Sequence, residues 1–181
     1  MTQKHLSLSA PRTLTLTALV LLVALARLLP HPPNFSPVAA LALFAGAHFG
    51  RRWLALLVPL AAMLISDLAL GFHAFIGVVY GTFALTVLLG GLLRTRRRPL
   101  PVALGALGAS LLFFILTNFA VWSTGGFYPL TSEGLVACYV AALPFFQQTV
   151  MGDLLYSGLF FGAFALLERQ LPALRHASSE L

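Results

Sequence analysis

The chain consists of long apolar runs separated by short polar segments. A helix needs about 20 apolar residues to cross a hydrocarbon core about 30 Å thick. On this basis the pattern predicts six membrane helices. They run over Thr13–Leu29, Pro37–Phe49, Trp53–Leu70, Ala74–Leu93, Leu100–Trp122 and Thr149–Leu167. The second run is the shortest, and its first residue, Pro37, suits the first turn of a helix.

The segment Arg27–Ala40 (RLLPHPPNFSPVAA) separates the first two runs with four prolines. Proline restricts φ and has no backbone N–H, so the proline-containing part of this segment is predicted to be an extended connector rather than a helix or a central strand. It carries an imidazole at His31 and an amide at Asn34. We therefore expect a rigid rim that presents two polar side chains.

A second irregular segment lies before the last run. Ser123–Gly134 (STGGFYPLTSEG) is rich in turn residues. The apolar stretch Leu135–Phe146 that follows is interrupted by Pro144. We predict a short interfacial or re-entrant helix there, so that all of Ser123–Gln148 forms one outer connection.

Composition restricts the class of protein. Hydrophobic residues make up 59% of the 181-residue chain and charged residues only 9%, whereas soluble domains carry about 25% charged residues. The predicted fold class is therefore all-α, a polytopic integral membrane protein built as a six-helix bundle. The single cysteine, Cys138, excludes an intrachain disulfide and a cysteine cluster for a metal.

Basic residues are distributed unequally between the two ends of the predicted helices. With helices that alternate in direction, ten of the eleven Lys and Arg residues fall on one side and Arg27 falls on the other. The ten are Lys4, Arg12, Arg51, Arg52, Arg94, Arg96, Arg97, Arg98, Arg169 and Arg175. The positive-inside rule then places both termini in the cytoplasm. We predict cytoplasmic tails at residues 1–12 and 169–181, a transmembrane domain at residues 13–168, and no nucleic-acid partner.

Polar side chains collect at or near the outer ends of the helices. Ionisable groups at membrane depth are costly and usually face a bundle interior or a water-filled cavity. We therefore predict an outward-facing substrate-binding site, closed beneath by packed apolar helices. Its candidate residues are Arg27, His31, Asn34, Asp67, His73, Asn118, Trp122, Tyr128, Asp153 and Tyr156.

Several of these residues have a purely structural alternative. Arg27 can extend its side chain to the outer headgroups. Asp67 can pair with Arg27, contact a ligand or be a solvated loop acid. Asp153 is predicted in the first turns of its helix, where a carboxylate interacts favourably with the helix dipole. Its neighbours Tyr156 and Ser157 share its helix face, which favours a polar lining instead.

Asn118 and Trp122 lie one helical turn apart. Together they offer an amide and a flat aromatic surface to a ligand. Equally, Asn118 can bond to a neighbouring helix while Trp122 anchors the helix at the membrane interface.

The sequence contains no catalytic signature: HExxH, GxSxG, a Walker A motif and a Gly-rich dinucleotide turn are all absent. We predict that the chain is not an enzyme and needs no cofactor. His31 and His73 lack a clustered second donor, so no metal site is predicted. Without a nucleotide site, transport must be passive, coupled to an ion gradient or powered by partner proteins.

Pairs of small residues four positions apart allow helix backbones to approach closely. They are Ala42 and Gly46, Gly105 and Ala109, and Gly158 and Gly162. The sequence leaves open whether each pair serves packing within the bundle or contact with a partner subunit.

Four motifs together resemble a family of small bacterial membrane proteins of unassigned function. They are LPHPPNFSPVAALALFAGAHF, VPLAAMLISDLALGFH, TNFAVWSTGGFYPLT and GDLLY, and the resemblance covers about Leu16 to Leu167. That family is similar to the substrate-binding S components of energy-coupling-factor (ECF) vitamin transporters.

The resemblance implies a multi-pass protein of the bacterial cytoplasmic membrane that binds a vitamin or related micronutrient near its outer face. The outer connections would form a lid, and an ECF T subunit with two ATPases would be partners. Solitary relatives that carry cobalamin imply that His31 or Cys138 could meet a corrin cobalt. The first helix lacks the Ala-x-x-x-Ala patch that several S components use for docking, and the chain begins Met1-Thr2 rather than with the Met-His of nickel and cobalt S components.

Three hypotheses follow for the function. The first is a membrane substrate-binding protein that takes up a small vitamin-like solute, with cobalamin as one candidate. The second is a non-catalytic structural or assembly subunit of a membrane complex. The third is a small intramembrane enzyme that uses Asp67 or Asp153 together with His31 or His73.

Overall fold

A computed structural model of the chain describes residue 18, residues 21–72 and residues 74–170. Helices account for most of these residues and no strand occurs among them. The helices are α1 (residues 21–28), α2 (Val38–His48), α3 (Arg52–Leu70), α4 (Ile76–Gly91), α5 (Pro99–Thr124) and α6 (Ser132–Gln170). The prediction of an all-helical, six-helix fold is therefore confirmed. The predicted N-terminal tail, most of the predicted C-terminal tail, part of the first predicted helix and His73 lie outside the described residues.

Three of the helices, α3, α5 and α6, are long and apolar enough to cross a membrane, while α2 and α4 are shorter apolar helices. At 1.5 Å per residue, the 11 residues of α2 extend only about 17 Å. The second predicted helix thus exists, but it is too short to cross a bilayer by itself.

Helix α2 lies at the centre of the bundle. It packs against α3, α4, α5 and α6, and every residue of Val38–Ala47 is buried. A helix that is surrounded by other helices has no solvent face, which explains why its sequence is apolar on all sides. The shortest apolar run of the sequence is therefore the core of the fold.

Close contact between α2 and α4 depends on two glycines. A Cβ atom at Gly46 would overlap the carbonyl oxygen of Val87, and a Cβ atom at Gly90 would overlap that of Leu43. The small pair Ala42 and Gly46 therefore packs within the chain, as one of the two sequence interpretations proposed. By contrast, nothing lies within 4 Å of a Cβ placed at Gly158 or Gly162, so this pair mediates no close helix contact among the described residues.

The α2–α3 and α4–α5 connections lie at the same end of the bundle. The guanidinium of Arg94 donates hydrogen bonds to the carbonyl oxygens of Gly46 (3.2 Å) and Phe49 (2.9 Å). Partial burial lowers the pKa of Arg97 in the α4–α5 connection. The negative charge of Glu168, near the end of α6, raises the same pKa. The basic connections and the last turns of α6 are therefore neighbours.

Helix α6 differs from the prediction. It is a single helix of 39 residues that begins at Ser132 and includes Pro144. The hydroxyl of Tyr139 donates to the carbonyl oxygen of Ile115 (2.7 Å), so the residues before the proline pack on α5 as those after it do. A proline removes one helix hydrogen bond and kinks the chain, and packing on a neighbouring helix can compensate for that loss. The predicted separate helix at 135–146 and the predicted outer connection at 123–148 are therefore wrong; the connection spans residues 125–131.

Candidate functional site

A charged network joins the end of α1 to α3 and α4. Arg27 Nη1 lies 2.8 Å from Asp67 Oδ1 and also donates to Ser66 Oγ (2.5 Å). The Tyr80 hydroxyl donates to Asp67 Oδ2 (2.9 Å). Asp67 is 1% exposed. The network confirms that Asp67 pairs with Arg27, as one of the sequence alternatives proposed, and it excludes a solvated loop acid.

A cavity of about 240 Å³ lies beside this network. Its walls come from α1, the proline connector and α2 to α6. The lining residues are Arg27, His31, Asn34, Ser36, Val38, Ala39, Met63, Val79, Phe83, Phe113, Thr149 and Asp153. His31 and Asn34 are exposed, whereas Met63 and Asp153 are buried. The cavity therefore has a polar rim at the connector and a mainly apolar lining between the helices.

A second cavity of about 90 Å³ adjoins the first. Asn34, Phe113 and Thr149 line both cavities. Asn118 lines only the smaller one, where its Nδ2 donates to the carbonyl oxygen of Phe114 (2.8 Å). The predicted amide of Asn118 thus belongs to the same region, although it does not line the main cavity.

The connector between α1 and α2 is folded tightly. The N–H of Phe35 donates to the carbonyl oxygen of Pro32 (3.0 Å), and Asn34 has a φ of 63°, in the left-handed region. His31 Nδ1 lies 2.9 Å from the carbonyl oxygen of Pro32, so this nitrogen is the donor. A Cβ atom at Gly152 would lie 3.2 Å from Phe35 Cα. The connector therefore lies against α6 beside Asp153, as a rim above the cavity.

Asp153 is 2% exposed and lines the main cavity. The hydroxyl of Ser110, in the middle of α5, donates to Asp153 Oδ2 (2.6 Å). Because α6 begins at Ser132, Asp153 lies about 30 Å along the helix axis from its start. The helix-dipole interpretation of this residue is therefore wrong, since the effect falls off within the first turn.

Three candidate residues belong neither to the charged network of Asp67 nor to the lining of either cavity. Trp122 Nε1 donates to the carbonyl oxygen of Pro129 (3.0 Å) and so closes the α5–α6 connection. Tyr128 lies in that connection, partly buried. Tyr156 packs edge-on against Phe35 with ring centroids 5.6 Å apart, which supports the rim from below. One further candidate, His73, lies outside the described residues.

Sequence reasoning missed several residues that complete the site. Thr149 lines both cavities and lies four residues before Asp153 on α6, a helical spacing that could have identified it. Tyr80 is a polar aromatic residue inside an apolar run, which is also a recognisable signal. Ser66 and Ser110 carry no such signal, because serine is tolerated in membrane helices through bonds to its own backbone.

The described residues offer little for metal binding. They contain no group of three or more His, Cys, Asp or Glu side chains that could hold a metal ion. Asp67 accepts from Arg27 and Tyr80, and Asp153 accepts from Ser110. The ring of His31 instead contacts its own connector. The arrangement is suited to holding a small molecule between a polar rim and an apolar interior.

No curated protein and no solved structure matches this sequence. Residues 7–174 match a family of unknown function, DUF6580. The match includes every helix and both cavities. The chain therefore belongs to the DUF6580 family.

Proposed function

We propose that this protein is a substrate-binding membrane protein, similar to an ECF S component, that takes up a small vitamin-like solute. The main cavity is the observation that carries this proposal. It is lined by four residues that were each predicted from the sequence as candidates: Arg27, His31, Asn34 and Asp153. Their positions on α1, the connector and α6 are typical of a binding site formed between the helices of a bundle.

The size of the cavity favours a small solute. Its volume of about 240 Å³ is below the roughly 300–1,000 Å³ of pockets for drug-sized ligands. Cobalamin is much larger than a drug-sized ligand, so the proposal moves from cobalamin to a smaller micronutrient. The position of Cys138 also argues against cobalamin. Its buried thiol lies 3.5 Å from the carbonyl oxygen of Asn118 and lines neither cavity, so it does not face a ligand bound there.

The arrangement of charge supports an orientation and a localisation. The basic connections that contain Arg51 and Arg94 lie at the end opposite the connector, and cytoplasmic loops are typically rich in Lys and Arg. In our proposal the cavity opens to the outside of the bacterial cytoplasmic membrane. In our proposal an ECF T subunit and its ATPases supply the energy for uptake, which is one of the three energy sources that the absence of a nucleotide-binding motif leaves open.

Native mass spectrometry of the gently purified full chain tests the proposal. We expect a co-purifying small molecule, and a rise in melting temperature with at least one member of a panel of water-soluble vitamins. Ala39→Leu should abolish both results, because Ala39 lines the cavity and a larger side chain there reduces its volume. Ala141→Leu, at an exposed position of α6, is the matched control and should leave them unchanged.

Recovery of lipid alone, with no thermal shift across the panel, would contradict this proposal. That outcome would favour the assembly-subunit hypothesis. The open face at Gly158 and Gly162, where nothing lies within 4 Å of an added Cβ, would then be the first surface to test for a partner helix.

A further inference from the structure

Two charged side chains, Arg27 and Asp153, line the main cavity and are not paired with each other. Arg27 is paired with Asp67 at 2.8 Å, so these two residues together contribute no net charge. Asp153 also lines the cavity and is 2% exposed. Its hydrogen-bond partner among the described residues is the neutral hydroxyl of Ser110. One buried carboxylate in the cavity wall therefore has no cationic side chain beside it within the described part of the chain.

A buried carboxylate without a cation is unfavourable. It either takes up a proton or finds a positive charge. The single hydrogen bond from Ser110 occupies Oδ2 only, which leaves Oδ1 to accept from a molecule in the cavity. A positively charged solute would supply the missing countercharge at this position.

Two aromatic rings favour an organic cation. Phe83 and Phe113 line the cavity with Asp153, and their ring centroids are 5.6 Å apart. Aromatic faces attract ammonium groups through the ring quadrupole. The cavity is less suitable for a metal ion than for an organic cation. Ca²⁺ and Mg²⁺ need about six oxygen ligands, and the described residues supply no cluster of acidic or imidazole donors.

We propose that the cavity selects a small organic ammonium compound, with Asp153 as the group that accepts its N–H and Phe83 and Phe113 as its aromatic walls. This inference rests on the proposed function, and it specifies the chemical class of the solute. Arg27, held by Asp67 and Ser66, does not compete for Asp153. The apolar part of the cavity, which includes Val38 and Met63, accommodates the carbon skeleton.

Three probes of matched size and different charge test the inference. Benzylamine is cationic at neutral pH, benzyl alcohol is neutral and benzoate is anionic. Calorimetric titration of the full chain in detergent should show that benzylamine binds about tenfold more tightly than benzyl alcohol, the value expected for one charge-assisted hydrogen bond. Benzoate should bind most weakly. Asp153→Asn keeps the size of the side chain and should reduce the preference for benzylamine to less than about twofold.

The outcomes separate this inference from the proposed function. Equal or tighter binding of benzyl alcohol or benzoate would overturn the cation preference while leaving the binding cavity in place. Binding of none of the three probes, together with the absence of any co-purified solute, would overturn both. Ser110→Ala retains the carboxylate and should retain the preference. The comparison of probes on the unmodified chain is decisive even where Asp153→Asn does not fold.

Discussion

At the scale of single residues, the pairing of Arg27 and Asp67 shows what sequence can predict. Both residues are rare charges in an apolar chain, and such charges usually find each other. Their pairing was therefore predictable. The bonds that Ser66 and Tyr80 make in the network were not predictable, although Tyr80 stands out in its apolar run, because these bonds depend on how α3 and α4 rotate about their axes. That rotation is a property of packing rather than of local sequence.

Removal of the Asp67 charge should be strongly destabilising. Asp67→Asn leaves Arg27 partly buried without a countercharge, which typically costs about 3–5 kcal/mol. The free energy of unfolding in mixed detergent micelles measures this loss. Tyr80→Phe, which removes only one hydrogen bond from the same carboxylate, should cost about 1.5–3 kcal/mol.

A double variant provides the control for this prediction. Arg27→Met combined with Asp67→Leu removes both charges together. The loss of unfolding free energy in this double variant should be smaller than the sum of the losses in Arg27→Met alone and Asp67→Leu alone. Strictly additive costs would show that the two side chains do not interact.

Asp153 shows the limit of the same reasoning. The sequence identified it as a candidate, but its predicted place near the start of a helix was wrong. Its partner Ser110 lies 43 positions earlier in the chain, on another helix. Nothing in the local pattern of either residue indicates that they meet, because the contact follows from the alignment of α5 with α6.

At the scale of the helices, two prolines show why one boundary was predicted wrongly. Pro59 lies inside α3 and Pro144 lies inside α6, and both helices continue through them. Sequence reasoning accepted Pro59 in a long apolar run. It took Pro144 as an interruption of the apolar stretch Leu135–Phe146 and therefore predicted a separate short helix there. The deciding factor is the support from neighbouring helices, which a proline's own sequence context does not contain.

The close packing of α2 against α4 gives a prediction at this scale. Gly46→Ala should destabilise the protein by about 1–3 kcal/mol, because the added methyl group meets the backbone of α4, which cannot rotate away as a side chain can. Gly158→Ala makes the same chemical change on α6 where nothing lies within 4 Å. It should be neutral or slightly stabilising, since alanine favours a helix over glycine.

The midpoint of thermal unfolding in detergent measures both glycine variants. A loss of stability for Gly158→Ala equal to that for Gly46→Ala would contradict the assignment of these two surfaces. It would indicate instead that glycine matters in these helices for backbone flexibility.

At the scale of the whole molecule, the sequence predicted the number and order of the helices well. This success has a simple physical cause, since apolar length and the position of charges are one-dimensional properties. The arrangement of the bundle is different. The placement of α2 at the centre and the formation of a cavity between α1 to α6 depend on contacts between distant residues, which no local pattern encodes.

The orientation in the membrane can be measured with single cysteines. In a Cys138→Ala background, Leu130→Cys in the α5–α6 connection should react with a membrane-impermeant maleimide added to intact cells. Arg96→Cys in the α4–α5 connection should react only after the cells are opened, because the positive-inside rule places it in the cytoplasm. The reverse pattern would place the cavity opening on the cytoplasmic side.

The left-handed backbone of Asn34 has a consequence for how this site can diversify. At a φ of 63°, only glycine, asparagine and aspartate are readily accommodated. His31, in contrast, is exposed and adopts no such conformation, so many side chains fit there. If the cavity binds a solute as we propose, evolution toward another solute would have many side chains available at position 31 and only three at position 34.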